Sequence, residues 1–252
     1  MNLFGIAAAG ALAAGWGYLG YRGWTWIPIG HPARKNQIRV ACVGDSITYG
    51  ALIPNWYKYN YPHRLQGVAG KQYCVHNYGF SSYTAMETGD HPYPKTLRFR
   101  RSLSFQPDVV FLMFGTNDSK KVNWRGREEF KRQYEKLLRN YLQLKSKPRV
   151  IVMLPPCPHH MNGEEGSEYT FGIRRNQILE IGGVLHELAE QYGLETLDMF
   201  TSTQEHPEWF LQDGIHPNAN GAEQLAKIVY TALMKKEGQK HVTTGNAPEY
   251  CG

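Results

Sequence analysis

The sequence predicts an α/β protein: a three-layer α/β/α arrangement around a five-stranded parallel sheet. Two observations carry that prediction. From Gln37 onward, short apolar runs alternate with longer segments whose apolar residues recur at helical spacing. No internal repeat or low-complexity tract interrupts the alternation, and 252 residues suffice for one domain with a sizeable core. A hydrophobic fraction of 42% against 20% charged residues is that of a folded chain, which excludes a disordered one.

The elements follow in order. Residues 1–21 stand apart: Leu3 to Tyr21 carries no charge, and Tyr18, Tyr21, Trp24 and Trp26 gather around Arg22. About twenty apolar residues can span a bilayer, and aromatic residues suit its interface. The expectation is an uncleaved, single-pass membrane anchor. No Lys or Arg precedes the apolar run, whereas Arg22, Arg34, Lys35 and Arg39 follow it, which points the domain to the cytoplasmic side, with an exported, anchored enzyme as the open alternative. The alternative is a secretory signal cleaved near Ala13-Ala14, giving a secreted protein. Pro28, Gly30 and Pro32 mark residues 22–36 as a linker. The domain is expected over 37–236, with strands at Ile38–Val43, Tyr73–Asn77, Val109–Phe114, Val150–Leu154 and Glu195–Leu197. Between them, Phe130, Tyr134, Leu137, Leu138 and Tyr141 share one face of a helix over Glu128–Leu144. Ile173–Tyr192 and Ala222–Lys235 read as further amphipathic helices, and 237–252 as a tail.

Charge and cysteine usage narrow the partners. The net charge is +6, and clusters such as Arg98-Phe99-Arg100-Arg101 and Lys120-Lys121 suit a solvated face as well as a nucleic-acid stripe, but the basic residues are scattered, so no nucleic-acid partner is expected. Cys42, Cys74, Cys157 and Cys251 have no paired metal spacing. Cys42 and Cys74 fall inside strands, where a buried free thiol is the default. His159-His160 with Glu164 and Glu165 lacks a signalled third ligand and reads as a polar loop over the pocket rather than a metal site. No glycine-rich phosphate loop of nucleotide-binding spacing appears, and no cofactor is expected.

Chemistry gathers where strands end, which is where parallel sheets bind ligands. After the first strand, Gly44 allows a tight exit and Ser46 sits on the turn, where its hydroxyl and backbone N–H can face one pocket. Near the end of the chain, Asp213 and His216 lie three residues apart, close enough for a turn to bring both side chains to one side. A serine, an imidazole that takes its proton and a carboxylate that orients the imidazole make up a nucleophilic triad. Gly79, after the second strand, could offer its N–H to a substrate oxygen. Asn117, after the third, could offer its amide, so Ser46, Gly79 and Asn117 form a candidate oxyanion hole. Each block alone has a bland reading: Ser46 as a turn cap, Asp213-x-x-His216 as a helix entrance with Pro217 starting the helix, Gly79 and Asn117 as loop formers.

Together and in this order, the four blocks resemble the GDSL/SGNH hydrolase superfamily, named for its Ser, Gly, Asn and His, over about residues 37–236. The resemblance implies a flavodoxin-like α/β/α fold, Ser46 as nucleophile, Gly79 and Asn117 as oxyanion donors, and Asp213 and His216 as acid and base. Two positions depart from the family pattern. Ile47 stands in place of the leucine, and Ser82 stands where many members have glycine in the block Asn77-Tyr78-Gly79-Phe80-Ser81-Ser82-Tyr83-Thr84. The segments Gly-Asp-Ser-Ile-Thr-Tyr-Gly and Gly-Thr-Asn-Asp-Ser resemble those of carbohydrate O-acetylesterases, including sialate and xylan acetylesterase-like proteins. This implies hydrolysis of a small acyl ester, acetyl first, from a glycan. Trp56, Tyr57, Tyr59, Tyr61, Tyr83, Trp124 and Trp209 are aromatic residues suited to packing on sugar rings, with Tyr83 and Trp124 as candidate substrate contacts, although loop aromatics also pack sheet edges. A lysophospholipase or thioesterase acting on longer chains is the alternative enzyme. A glycan-binding module with a vestigial triad is the alternative from another class.

Overall fold

The computed structural model describes residues 30–161, 166 and 168–235. The expected anchor at 1–21, the first part of the linker, Glu164, Glu165, the tail at 237–252 and Cys251 lie outside the described residues. No described helix is long and apolar enough to cross a membrane.

In chain order the elements are β1 (Ile38–Gly44), α1 (Ser46–Tyr49), α2 (Trp56–Tyr59), α3 (Tyr61–Ala69), β2 (Tyr73–Gly79), α4 (Leu97–Ser104), β3 (Val109–Met113), α5 (Arg127–Leu142), β4 (Arg149–Leu154), β5 (Glu168–Tyr169), β6 (Ile173–Arg174), α6 (Arg175–Tyr192), β7 (Glu195–Asp198), α7 (Met199–Thr203) and α8 (Ala219–Met234). The main sheet has the order β2-β1-β3-β4-β7 and every pairing in it is parallel. β5 and β6 form a separate antiparallel hairpin.

Period-two burial decides the layers. Ala41 and Val43 of β1, Val110 and Leu112 of β3, and Val150 and Val152 of β4 face a cluster that includes Phe99 of α4, Phe130 and Tyr134 of α5, and Ile181 and Leu185 of α6. Their neighbours Val40, Cys42, Phe111 and Ile151 face the opposite way, against Leu65 of α3 and Leu225 and Val229 of α8. Burial on both faces explains the near-continuous apolar strands that the sequence displays. The five strands coincide with the expected runs to within two residues.

Some helices differ from expectation. The helix expected from Ile173 begins at Arg175, because Ile173 and Arg174 pair with Tyr169 and Glu168 across the hairpin. The last helix starts at Ala219 with Asn218 as its cap, accepting from the Gly221 N–H at 2.9 Å, so Pro217 precedes the helix rather than opening it. α3 and α4 were not signalled by periodicity; α4 is mostly polar, yet it buries Arg98 completely.

Candidate active site

The sheet order reverses direction at β1, whose neighbours are β2 on one side and β3 on the other. Chains leaving adjacent strands at such a point part to opposite faces and open a crevice at the carboxyl edge. Ser46 leaves β1 and Asn117 follows β3, so both face the crevice. The cleft there has a volume of about 200 Å³ and is lined by Ser46, Asn117 and His216 together with Ala51, Leu52, Ser81, Ser82, Thr116, Lys120, Phe171, Ile173 and Ile215.

Ser46 is the first residue of α1, so its N–H has no acceptor within the helix. Asp45 caps this turn by accepting from the Ile47 N–H at 2.9 Å. Asn77 on β2 fastens α1 from below: its amide donates to the Thr48 carbonyl at 2.9 Å and to that of Tyr49 at 3.3 Å. The turn that carries Ser46 is thereby tied to two strands.

The Ser46 hydroxyl lies 2.9 Å from His216 Nε2, across 170 residues of sequence. His216 Nδ1 lies 2.8 Å from Asp213 Oδ2, while Asp213 Oδ1 accepts from the backbone N–H groups of Ile215 and His216, each at 2.8 Å. One carboxylate therefore shapes the turn and orients the ring. Burial pushes the Asp213 pKa up, but the ring and the two N–H groups outweigh it and hold the carboxyl below its usual value. Gly214 makes the turn feasible. It has φ +66°, and a Cβ there would lie 1.9 Å from the His159 carbonyl oxygen, with the His159 N–H donating to the Gly214 carbonyl at 2.9 Å. His159 thus supports the Asp213 turn from behind, its ring against Phe210, and His160 stacks on Tyr169. Among the described residues no group of three His, Cys, Asp or Glu could hold a metal ion.

Gly79 departs from its expected role. It is the last residue of β2, paired with Gly44, and its N–H donates to Asn77 Oδ1 at 2.9 Å. A Cβ at Gly79 would lie 2.2 Å from the Tyr49 nitrogen, so this glycine exists to let β2 approach α1, and it does not line the cleft. The residue of that block that reaches the cleft is Ser82, at the third position of a turn closed by the Tyr83 N–H on the Phe80 carbonyl at 3.3 Å. Ser82 has φ +71°, the left-handed region in which glycine is the usual occupant. That accounts for the glycine many family members carry at this position.

Asn117 and its neighbour hold this turn. The Asn117 amide donates to the Tyr83 carbonyl at 3.2 Å, leaving its second N–H for the cleft. The buried Asp118 accepts from the N–H groups of Ala85 and Met86 at 3.1 and 3.0 Å. Burial raises the Asp118 pKa to about 7, against the pull of those two N–H groups. Burial likewise raises Asp45 to about 6. Beneath the same turn, the fully buried Arg98 donates to the Gly79 carbonyl at 2.8 Å and lies over the Phe80 ring at 5.1 Å. Nothing in the sequence marks Asp118 or Arg98 as a site residue, because a charged residue becomes a strut only through its surroundings.

The expected aromatic contacts are also relocated. Tyr83 stacks on Phe80 with ring centroids 4.1 Å apart, and Trp124 packs against Phe130. Both belong to the periphery of the core, and neither lines the cleft. Trp56 stacks on Tyr49, Trp209 on His206, and Tyr61 is buried against Thr48. The aromatic ring in the cleft is Phe171, set edge-on to the His216 ring at 5.6 Å.

The GDSL-like lipase/acylhydrolase family matches over residues 42–224. The chain is 32% identical over 225 residues to an acetylxylan esterase of Xylanibacter ruminicola, a match covering 82% of this chain and 45% of that protein. It is 27% identical over 172 residues to a GDSL esterase/lipase of Arabidopsis thaliana, covering 64% of this chain and 65% of that one. The chain thus spans less than two thirds of the length of either relative. Among solved structures, a carbohydrate acetylesterase from Sinorhizobium meliloti superimposes with a TM-score of 0.62 at 21% identity, covering 78% of this chain and 98% of that one. The native aryl esterase of M. smegmatis gives a TM-score of 0.62 at 20% identity, covering 77% and 97%. At these identities the superpositions establish the shared fold.

Proposed function

The chain belongs to the GDSL-like lipase/acylhydrolase family, and from that premise we propose that it is a serine esterase removing small acyl groups, acetyl first, from a carbohydrate. The observation that carries the reading is the relay of Ser46, His216 and Asp213 opening into one small cleft. His216 Nε2 accepts the Ser46 proton as Oγ attacks the acyl carbon. Asp213 keeps the other ring proton on Nδ1 and stabilises the imidazolium that forms. Negative charge then develops on the carbonyl oxygen. We assign the Ser46 N–H, the Ser82 N–H and the second Asn117 N–H as the donors that receive it, because all three residues line the cleft, and each such donor contributes about 2.7–4 kcal/mol in comparable sites. As the acyl C–O bond breaks, His216 gives its proton to the departing sugar oxygen, releasing the sugar hydroxyl and leaving acyl-Ser46. Water, activated by the same imidazole, completes hydrolysis.

The space in the cleft supports a small acyl group. A cleft of about 200 Å³ lies below the range of about 300–1,000 Å³ usual for drug-sized ligands, and a long acyl chain would have to lie outside it. The acetylxylan esterase among the relatives supports a carbohydrate as the alcohol. The test is turnover of O-acetylated xylo-oligosaccharides and of p-nitrophenyl esters from acetate to octanoate by the full chain. We expect acetate to be preferred and the Ser46→Ala variant to be inactive on all of them. Preference for octanoate would overturn the small-acyl reading, and an active alanine variant the mechanism.

A further inference from the structure

Building on the serine-esterase reading, we infer that Phe171 and Leu52 form the alcohol-side subsite, gripping the apolar face of the sugar ring whose ester is cleaved. Both line the cleft that holds Ser46. Phe171 is 54% exposed and Leu52 63%, so two large apolar side chains stand in water beside the nucleophile and add little to the core. Their backbones are unfavourable as well. Phe171 has φ +62° and Leu52 φ +64°, in the left-handed region where a Cβ is disfavoured and glycine is the default. The other described non-glycine residues with positive φ are Asn36, Asn55, Ser82, Gln106 and Lys147, all polar. The two apolar exceptions are thus both in this cleft. Residues held against both the hydrophobic effect and backbone preference point to a ligand that rewards them.

The position of Phe171 identifies which part of the substrate it meets. Its ring lies edge-on to His216 at 5.6 Å and an interplanar angle of 72°. His216 delivers the proton to the leaving oxygen, so the ring beside it lies next to the alcohol rather than the acyl group. Phe171 is at the tip of the β5–β6 hairpin, whose base is fixed to the Asn117 loop by the Arg174 N–H on Ser119 Oγ at 3.2 Å. Leu52 is held to the nucleophile itself, through the Ala51 N–H on the Ser46 carbonyl at 3.0 Å and the Ile53 N–H on Gly50 at 3.4 Å. A pyranose ring offers C–H faces to such side chains and hydroxyls to polar neighbours, here Ser81, Ser82, Thr116 and Lys120.

Glycine substitution separates this role from a structural one, because it deletes the side chain and relaxes the backbone together. In the full chain, Phe171→Gly and Leu52→Gly are each expected to raise KM for O-acetylated xylobiose about tenfold more than KM for ethyl acetate, which has the same acyl group and no ring. The melting temperature is expected to equal or exceed that of the wild type, and Phe171→Trp to restore the low KM. Equal effects on both esters, or a lowered melting temperature, would overturn the inference. So would a selective loss on octanoate esters, which would place these residues on the acyl side. Calorimetry of O-acetylated xylobiose with Ser46→Ala protein tests the subsite apart from turnover. Adding Phe171→Gly should weaken binding about tenfold, and equal affinity would overturn the subsite whatever becomes of the esterase reading.

Discussion

Replacing Asp213 with asparagine should cut activity by orders of magnitude while sparing the fold, and the structure supplies the reason. Asp213 makes three hydrogen bonds: Oδ1 accepts from the Ile215 and His216 N–H groups, and Oδ2 from the His216 ring, all at 2.8 Å. An asparagine amide has one oxygen and one NH₂ to place in these two sites. With the oxygen at the Oδ1 site, both backbone bonds survive and the NH₂ faces His216 Nδ1. With the amide flipped, one ring bond is kept, but the NH₂ confronts two backbone donors. At about 1–3 kcal/mol for each donor left unsatisfied, the two backbone N–H groups favour the first orientation by about 2–6 kcal/mol. It obliges Nδ1 to accept, which moves the ring proton to Nε2, the atom that must take the proton from Ser46. The ring is then in the wrong tautomer, a fault that costs about 10⁴ in kcat in a comparable protease triad. We expect kcat/KM on p-nitrophenyl acetate to fall by about 10³–10⁴, with a melting temperature within about 3 °C of wild type. An asparagine variant retaining a tenth or more of wild-type kcat/KM would refute the tautomer argument. A collapse of the melting temperature would refute the claim that the turn is preserved.

Two further predictions concern the turn beside Ser46. Ser82→Gly removes a Cβ from the left-handed region, worth about 1–2 kcal/mol, so the melting temperature should rise by about 2–8 °C with the backbone donor retained; a decrease in scanning calorimetry would contradict the strain assigned to Ser82. For Asp118, burial raises the pKa to about 7 from an ordinary value of 3.8, so the folded state binds the extra proton between those limits. Stability carried by that proton is present below about pH 4 and is lost as pH rises through about 7, with Asp45 acting in the same direction up to about 6. Urea unfolding at about pH 5 and about pH 8 should show a smaller pH-dependent loss in Asp118→Asn than in wild type, and an equal or larger loss would count against this assignment.

The five strands, the longer helices and the order of the chemical blocks are legible in the sequence alone. Each rests on a pattern carried by neighbouring residues: apolar runs long enough for a doubly buried strand, a helical stripe such as Phe130 to Tyr141, and glycine or asparagine where strands end. That Asp213 and His216 can share one short turn is readable for the same reason, because they lie three residues apart. What reaches the cleft was decided by tertiary structure. Gly79 and Ser82 are three residues apart in one block, and only the path of the chain against α1 commits the first to packing and swings the second into the cleft. Tyr83 and Trp124 look as suited to a sugar as Phe171 does, but they are spent on the core, and Phe171 sits in a hairpin too short to show a period. Arg98 and Asp118 resemble surface charges until α4 and the Asn117 loop close over them. Periodicity reports how a residue relates to its neighbours in the chain. A site at the crevice between β2, β1 and β3 depends on loops that meet across more than a hundred residues, and that meeting is settled by packing.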